Sequence, residues 1–455
     1  MNSRLTIFVD HGEAYGNLGD EAMLLNAVAR LQYYLAPCKV LLTSEETCPL
    51  PIGLAKIEMV SSPRVMLGTR AIWVEHQFNK LYRLPSVWRW LPKPSEIFFW
   101  KTAAWLSNVE GWLWYWRLWG RDSANSKWRE HVHQCDLFYG VGAATLNEPN
   151  MYGLVYKAWV YREVRRLIGF RVLSAQGVGP FSTRAGVSRL RSCFRSMSLV
   201  SFRDYDYSMT LARRLGLCRV ELAITGDEAF SLPVASDHVI SEYLKSAGLG
   251  KEEPYIAVHF RATDYTRETL SLLPLIADLL DRLSGRSPRM LFIPMSYDTH
   301  SGRDEEYGMK IRATLQNPSR FLVAPLCKDV QVIKGVVGKA RFSLGLSYHL
   351  HVFSLSQGHP AVILYTGEYY KLKSDGLIGF YGSPNVAINL ETAKTDEVEN
   401  SLRLVEADYE TACKEIRQVN EGLHEKNDWI LRETAKHFGR TSRHGKREDF
   451  TTDLH

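Results

Sequence analysis

The sequence has few cysteines, and none of them is placed for a metal site or a disulfide framework. Its seven cysteines are scattered singly along 455 residues, without a CxxC pair or a histidine partner at metal spacing. Zinc-binding and disulfide-rich classes are therefore not indicated, and a reducing cytoplasm fits this usage best. The first residues, MNSRLTIFVDHGEAYG, lack a long apolar segment and a small-residue cleavage site, so no secretion is expected.

The chain also lacks a strong charge of either sign. Its 56 basic and 50 acidic side chains give a formal net charge of +6, which over this length is too weak to predict nucleic-acid binding. With 45% apolar and 23% charged residues, the composition excludes a mainly disordered, collagenous or polytopic membrane chain. The length predicts two or three domains, each large enough to bury a core.

Short apolar runs alternate with helical stretches along most of the chain. Continuous apolar runs are typical of parallel strands that are buried on both faces. Strands are predicted at 4–10, 39–43, 136–141, 171–176, 199–202 and 219–224, and again at 255–260, 289–295, 320–325, 341–346 and 361–366. Helices are predicted near 20–35, 151–168, 268–284, 304–315, 328–338 and 348–357. This alternation predicts an α/β protein of two Rossmann-like domains that face a cleft.

The alternation restarts after about residue 235, which sets the predicted domain boundary. We predict an N-terminal Rossmann-like domain at 1–235 with an insertion at about 73–130, a C-terminal one at 236–400, one long helix at 401–437 and a polar, disordered tail at 438–455. In open α/β sheets, ligands bind outside the carboxyl ends of the strands. Binding residues are therefore expected in the loops that follow strands.

The insertion is distinguished by tryptophan, because ten of the 12 tryptophans lie between residues 73 and 128. Residues 73–130 also carry nine basic and five acidic side chains. Three interpretations stay open: a helical hairpin that buries tryptophan against the N-terminal domain, an in-plane contact of residues 97–119 with a membrane surface, and a platform on which sugars stack. Charged residues within 97–119, including Lys101 and Glu110, make a membrane span costly.

Glycine-rich loops follow three strands of the first half. GNLGDE (16–21) opens the first helix, for which Asp20 is a candidate N-cap. GVGA (140–143) and AQGVGP (175–180) each follow a strand, where they form the floor of a cleft or only turn the chain over the sheet edge. None is a GxGxxG or Walker loop, so nucleotide binding does not follow.

Cationic and titratable residues follow other strands. Arg203 in SFRD (201–204) is suited to grip a carboxylate or phosphate, or else to pair with Asp204. SYHLH (347–351) begins a helix, and a histidine in a first turn lies near unpaired amides where an anion would bind. The helix dipole lowers the pKa of such a histidine and a bound dianion raises it. The loop predicted at 368–376 offers lysines to the same anion.

Taken in order, these segments resemble the polysaccharide pyruvyl transferase family across nearly all of residues 4–385. The matching segments are GNLGDEAML (16–24), AQGVGP (175–180), FRD (202–204) with Ser208, TGDEAFSL (225–232), FIPMSYD (292–298) and GLSYHLHVFSLSQGHPAVILY (345–365) followed by Lys373 and Gly376. Gly358 and Pro360 follow His349 at the family's spacing of nine and eleven residues, which assigns the functional position to His349 rather than His351.

Two residues depart from the family pattern. Ser347 stands where the family has arginine, and Tyr348 stands where it has leucine. One expected anion contact is therefore missing. Arg203, Arg261 and Lys371 are the candidates to replace its charge.

The resemblance implies a GT-B-like pair of domains that transfers the pyruvyl group of phosphoenolpyruvate to two hydroxyls of one sugar. The products are a cyclic ketal and phosphate, formed in exopolysaccharide or cell-surface glycan biosynthesis. His349 is implied as the general acid, with Arg203 and Lys373 as the catalytic clamp. The phosphoenolpyruvate site, on the C-terminal side, is implied to contain Arg203, Arg261, Ser347, Tyr348, His349 and Lys373. The acceptor side is implied to contain Asn17, Asp20, Gly142, Gln176 and Gly177.

The implied partners are phosphoenolpyruvate as co-substrate and an oligosaccharide or lipid-linked sugar as acceptor, with no further cofactor, no metal and no nucleic acid. The expected location is the cytoplasm, with peripheral contact at the inner face of the cell membrane as a further hypothesis. Two alternatives stay open. A GT-B nucleotide-sugar glycosyltransferase is disfavoured because Glu368 has no second glutamate seven or eight residues later. A non-catalytic glycan-binding member is suggested by Ser347.

Overall fold

The computed structural model describes residues 4–11, 16–44, 53–54, 57–61, 123–250, 252–261, 272–285, 288–297 and 304–440. Most of the tryptophan-rich insertion, including 97–119, lies outside these residues, and so does the tail from residue 441. The predictions made for those segments therefore stay predictions. Of the helices that the structure describes, none has both the length and the apolar character of a membrane span.

The first half of the chain forms a seven-stranded parallel sheet in the order β3-β2-β1-β4-β5-β6-β7. Its strands are β1 (Leu5–Asp10), β2 (Cys38–Ser44), β3 (Glu58–Ser61), β4 (Leu137–Gly140), β5 (Phe170–Gln176), β6 (Leu199–Phe202) and β7 (Glu221–Ile224). In the interior strand β1, Ile7 lies opposite Val40 of β2 and Leu137 of β4. Phe8 and Val9 are fully buried on opposite faces, which explains the unbroken apolar run.

Five helices cover this sheet in the described residues. They are α1 (Leu18–Leu35), α2 (Ser123–His133), α3 (Met151–Leu167), α4 (Arg184–Arg195) and α5 (Tyr207–Arg214). Asn17, and not Asp20, caps α1: its Oδ1 accepts a hydrogen bond from the Gly19 amide at 3.0 Å. Asp20 thus lies inside the first turn, where an acidic side chain also favours the helix dipole.

The second half forms a six-stranded parallel sheet in the order β10-β9-β8-β11-β12-β13. Its strands are β8 (Tyr255–His259), β9 (Arg289–Phe292), β10 (Phe321–Val323), β11 (Ser343–Gly345), β12 (Ala361–Tyr365) and β13 (Val386–Asn389). In each sheet the order in which the strands are added reverses beside the first strand, β1 or β8. Open α/β sheets form ligand crevices at such a point. The predicted pair of Rossmann-like sheets is confirmed.

Eight helices of the described residues belong to the second half. They are α6 (Asp237–Ser246), α7 (Leu273–Ser284), α8 (Asp304–Thr314), α9 (Val330–Lys339), α10 (Tyr348–Ser356), α11 (Gly367–Ile378), α12 (Thr395–Ala407) and α13 (Tyr409–His437). Two predictions are wrong here. The loop predicted at 368–376 lies inside α11, and the single helix predicted at 401–437 is divided between α12 and α13 at Asp408, whose backbone is not helical (φ −123°, ψ 34°).

The sheets are joined through residues 227–232, which we call the interdomain segment. It contains a short 3-10 helix (Glu228–Ser231). Arg30 of α1 lies 3.5 Å from the Glu228 carboxylate and donates from Nη2 to the Asn427 carbonyl (2.8 Å) and to Asp428 (2.7 Å) on α13. Asn427 in turn donates to the Asp227 carbonyl at 3.2 Å. The last long helix therefore folds back onto the first domain and fixes this segment.

The second domain holds the same segment from the other side. Lys334 of α9 is buried, and its Nζ donates to the carbonyl oxygens of Ala229, Phe230 and Leu232 at 3.1, 2.8 and 2.7 Å. These carbonyls belong to the end of the 3-10 helix and the residue beyond it; Ala229 also accepts from the Leu232 amide at 3.3 Å. One buried ammonium group thus satisfies three backbone acceptors and ties the two domains together.

We predict that Arg30→Ala lowers the free energy of unfolding by about 3–5 kcal/mol, because it leaves the buried Glu228 carboxylate without its cation. Urea unfolding followed by circular dichroism measures the change. Arg403→Ala is the control: it breaks the exposed Arg403–Glu399 pair (2.8 Å), and a loss below about 1 kcal/mol is expected. Equal losses in the two variants would contradict the role assigned to the Arg30 cluster.

Candidate active site

The candidate active site lies between the two sheets, where segments that follow their strands meet. Across this interface, the Leu18 amide donates to the Met295 carbonyl (3.0 Å) and the Tyr297 amide donates to the Gly16 carbonyl (2.8 Å). On the far side, the Tyr205 amide donates to Gly376 of α11 (3.1 Å). The carboxyl ends of the two sheets therefore face each other, and the side chains between them are shared by both domains.

His349 lies in the first turn of α10, immediately after β11, and points at the first domain. Its Nε2 is 3.9 Å from Asp227 Oδ2, and the residue is 9% exposed. A Cβ atom on Gly19 of α1 would lie only 1.8 Å from His349 Nδ1. The absence of a side chain at Gly19 is thus what allows the imidazole to reach across the interface.

Burial, opposed by the Asp227 charge and aided by those of Arg203 and Lys373, lowers the pKa of His349 to about 3. The imidazole is therefore neutral at neutral pH in this arrangement. Its Nε2 has no hydrogen-bond partner among the described residues. A buried, unpartnered and neutral imidazole can accept or donate a proton once a charged ligand lies beside it.

Arg203, at the carboxyl end of β6, pairs with Asp227 and not with Asp204. Its Nη1 lies 3.0 Å from Asp227 Oδ2, and both side chains are buried. Asp204 is occupied elsewhere, since it accepts hydrogen bonds from the amide (2.8 Å) and hydroxyl of Ser208. Sequence analysis did not select Asp227, although it stands in the TGDE segment; only its distance to Arg203 and His349 reveals its part in the site.

Tyrosine rings surround the cations of the cleft. The Tyr348 ring centre lies 4.5 Å from the Arg203 guanidinium carbon and 5.9 Å from Lys373 Nζ. Lys373 also lies 4.4 Å from the ring of Tyr369 and 5.7 Å from that of Tyr370. Aromatic faces attract cations without neutralising them. Tyr348, which replaces the family leucine, thus contributes to holding both Arg203 and Lys373.

The two lysines of α11 differ sharply. Burial, and then the Arg203 charge, lowers the pKa of Lys373 to about 8. Lys371 is exposed and its Nζ lies 2.6 Å from Asp375, one helical turn away on the surface. Lys371 is therefore not placed to replace the charge lost at Ser347, whereas Lys373 faces the cleft.

Asp20 and Arg261 complete the charged residues of the cleft. Burial raises the pKa of half-buried Asp20 to about 6, although Lys373 and Arg203 act in the opposite direction. Arg261 follows β8, and its Nε lies 3.6 Å from Asp304, which is also paired with His259 at 3.0 Å. The Arg261 side chain is 22% exposed, and its charge acts on Asp20, whose pKa it lowers.

The residues implied for the acceptor are not all placed to touch one. Gln176 is buried, and its Nε2 donates to the carbonyls of Val141 (3.0 Å) and Ser174 (2.8 Å). Gly142 is packed against Ala175, and the Asn17 side chain caps α1. Gly177 does line the cleft, where a Cβ would lie 2.8 Å from Arg203 Nε. Asn17, Gly142 and Gln176 instead support the backbone at the carboxyl end of the sheet.

The cleft is closed in this structure. Its cavity, lined by Gly177, Arg203, Tyr348 and Lys373 among others, has a volume of about 20 Å³, which is close to that of one water molecule. Tyr369 of α11 bridges the domains by donating to the Ala144 carbonyl at 3.2 Å. A ligand larger than water therefore requires the domains to separate. Within the described residues, no three His, Cys, Asp or Glu side chains are grouped to hold a metal ion.

Comparisons with known proteins give a family and a fold. A sequence model of polysaccharide pyruvyl transferase matches residues 17–368. A search of curated proteins found no match. Among solved structures, the chain is similar to Anabaena HepE in complex with UDP-glucose (12% identity, 95% of this chain and 99% of that one, TM-score 0.54) and to S. aureus MnaA with UDP (12%, 97% and 100%, 0.56). At such identities the likeness shows the fold alone, and it confirms the GT-B-like pair of domains.

We predict that Gly19→Ala destabilises the protein by about 1–3 kcal/mol, because its new Cβ would overlap the His349 ring. Glycine-to-alanine changes inside helices normally stabilise by about 0.5–1 kcal/mol. Gly422→Ala is the matched control, since nothing lies within 4 Å of its Cβ position in α13. It should stabilise the protein. Thermal unfolding of both variants tests the prediction, which fails if Gly19→Ala stabilises as Gly422→Ala does.

A second prediction concerns acid stability. Because the pKa of His349 is about 3 in the folded protein and 6.5 ordinarily, the unfolded chain binds a proton that the folded one excludes. Above pH 6.5 this difference in pKa leaves the free energy of unfolding unchanged. As the pH falls from 6.5 towards 3, it lowers the free energy of unfolding. The free energy of unfolding of His349→Gln should therefore rise relative to that of wild type by about 1.4 kcal/mol for each unit that the pH is lowered between 6 and 4.

Urea unfolding at pH 7, 6, 5 and 4 measures this difference. His238→Gln, which removes an exposed histidine of α6, is the control and should follow the wild-type curve. Parallel wild-type and His349→Gln curves across the range would refute the placement of His349 as a buried neutral group.

Proposed function

The chain belongs to the polysaccharide pyruvyl transferase family, and from this premise we propose that it transfers the pyruvyl group of phosphoenolpyruvate to two hydroxyls of one sugar. The products are a cyclic pyruvate ketal and inorganic phosphate. The observation that carries the proposal is the meeting of His349, Arg203 and Lys373 at one cleft between the domains.

Phosphoenolpyruvate presents a phosphate and a carboxylate, and the cleft holds cations suited to both. Arg203 offers a planar fork of donors that matches such oxygens, and Lys373 adds a compact charge. Arg261 reaches the cleft from the end of β8. The amides in the first turn of α10 add the positive end of a helix dipole. Together these groups supply the anion clamp in the absence of the family arginine at Ser347.

The clamp also prepares the proton donor. A dianion next to His349 offsets the burial and the cationic charges that hold its pKa near 3. The imidazole then becomes charged only when the substrate is present. The His349 imidazolium therefore forms only beside the bound enol, where it can donate its proton to the C3 carbon.

The reaction balances in four steps. His349 gives a proton to C3, which leaves C2 with oxocarbenium character. One sugar hydroxyl adds to C2 and loses its proton. The C2–O bond to phosphate breaks, and the second hydroxyl adds in its place. Of the two hydroxyl protons, one restores His349 and the other leaves with phosphate.

Asp20 is our candidate for taking the first hydroxyl proton and passing it to the departing phosphate, which returns the carboxylate to its starting state. It belongs to the first domain, which we assign to the acceptor, and burial raises its pKa to about 6. A carboxyl group with a pKa close to the working pH is a suitable general base. Asp227 has a different part, since it fixes the Arg203 guanidinium at 3.0 Å and faces His349.

The nucleotide-sugar alternative has only the fold in its favour. Solved relatives such as HepE and MnaA bind UDP compounds, but at 12% identity they transfer no substrate to this chain. Glu368, the residue that this alternative would use, is exposed at the start of α11. Exopolysaccharide as the acceptor, the cytoplasmic location and membrane contact through 97–119 stay predictions.

The test is phosphate release from phosphoenolpyruvate in the presence of candidate sugar acceptors. His349→Gln and Lys373→Gln should each lower kcat/KM by about 100-fold or more, because they remove the proton donor and a substrate cation. Lys371→Gln is the matched control on the same helix, and its activity should stay within twofold of wild type. Ketal formation is checked by the new methyl resonance of the sugar product.

Two results would overturn the proposal. One is phosphate release by wild type that does not exceed that of His349→Gln with any acceptor. The other is a thermal shift with UDP-sugars and none with phosphoenolpyruvate, which would favour the glycosyltransferase alternative.

A further inference from the structure

A second concave surface lies on the first domain, and the proposed reaction does not use it. It is an open groove of about 530 Å³ between the start of α4 and the end of α5. Three arginines line it: Arg184 and Arg191 on α4, and Arg214 on α5. We call this surface the arginine groove. Its volume is well above that of the closed cleft and is large enough for more than a single phosphate group.

The arginine groove has no acidic side chain in its own wall, although buried Glu148 lies behind its loop and accepts hydrogen bonds from Ser182 and Thr183. All three arginines are exposed, and in the described part of the chain none of them forms an ion pair. Arginines elsewhere on the surface do have partners, for example Arg282 with Asp396 at 2.7 Å and Arg403 with Glu399 at 2.8 Å. A concave site with three unpaired guanidinium groups is suited to a multiply charged anion.

The two ends of one loop line the active-site cleft and the arginine groove. Gly177 and Gly179, at the start of the loop between β5 and α4, line the cleft. Phe181 and Thr183, at the end of the same loop, line the arginine groove. Four residues span at most about 14 Å when extended, so the backbone at Gly179 and at Thr183 is no farther apart than that, and Arg184 follows Thr183 directly.

We propose that the arginine groove binds a diphosphate or phosphate group carried by the acceptor, while the sugar to be modified occupies the cleft. This inference rests on the proposed function for the identity of the acceptor. Guanidinium forks match phosphate oxygens in pairs, and two phosphates supply enough charge for three arginines, whereas one carboxylate balances only one. The acceptor class that follows is a sugar diphosphate, either free or attached to a lipid carrier.

Inorganic pyrophosphate is the first probe, titrated by calorimetry without phosphoenolpyruvate. The parent protein carries Lys373→Gln, so that the active-site cleft contributes less to anion binding. Adding Arg191→Gln and Arg214→Gln should raise the Kd for pyrophosphate at least tenfold, because two charge-assisted contacts are lost. Arg213→Gln is the control: this exposed arginine precedes Arg214 but does not line the groove, and the Kd should stay within twofold.

Equal Kd values in the parent and the groove variants would overturn the proposal. Tighter, groove-dependent binding of a uronic acid oligosaccharide than of pyrophosphate would overturn it in favour of a carboxylated glycan. Groove-dependent sedimentation with phosphatidylglycerol vesicles, without pyrophosphate binding, would overturn it in favour of a membrane surface. Arg191→Gln, Arg214→Gln and Arg213→Gln all change exposed side chains. Thermal unfolding that is unchanged from the parent confirms that each protein is folded.

A kinetic measurement separates this inference from the proposed function. With an active wild-type background, the Arg191→Gln, Arg214→Gln protein should raise the KM for a sugar diphosphate acceptor about tenfold and leave the KM for phosphoenolpyruvate unchanged. An unphosphorylated acceptor should show no difference between the two proteins. If the two proteins have the same KM for the sugar diphosphate acceptor, the inference about the groove is wrong and the proposed function is unaffected. If wild type releases no phosphate, the proposed function is wrong and the groove is untouched by that result. Free and lipid-linked sugar diphosphates, compared side by side, identify the source.

Discussion

The geometry of the site depends on the buried hydrogen bonds that fix the interdomain segment, residues 227–232. Arg30 holds this segment from the first domain, Lys334 from the second and Asn427 from the last helix. Because these groups are buried, each unmade bond would carry a desolvation penalty, so the segment has one favourable position. Asp227 is its first residue. Its 3.0 Å contact with Arg203 and its approach to His349 therefore follow from how the two domains are tied together.

Closure of the domains sets the electrostatics of the cleft. Burial lowers the pKa of His349 and of Lys373 and raises that of Asp20, so each group is pushed towards its neutral form. Tyrosine rings hold the cations without neutralising them. The closed cleft thus holds Lys373 and the Arg203–Asp227 pair beside an imidazole that lacks a proton. A bound dianion would favour the charged forms of both Lys373 and His349.

The sequence predicted the strands that carry the site, and it missed features that depend on contacts between distant segments. Buried strands such as β1 and β12 were recognisable because both of their faces are covered and their apolar runs are unbroken. The edge strands β3 and β13 were missed, whereas β7 and β10, which are also short and lie at sheet edges, were predicted. The helix α11 was taken for a loop, and Asp227 was not selected, because neither has a local pattern that distinguishes it.

The sequence by itself determined the two α/β domains, the family and the position of His349, since periodicity and motif order are local properties of the chain. Only the tertiary structure decided which charges meet. It separated Lys373 from Lys371 on one helix, paired Arg203 with Asp227 instead of Asp204, and placed Gln176 at the carboxyl end of the sheet. It also left three arginines of α4 and α5 unpaired around one groove. These outcomes depend on distances across the fold, which residue order does not encode locally.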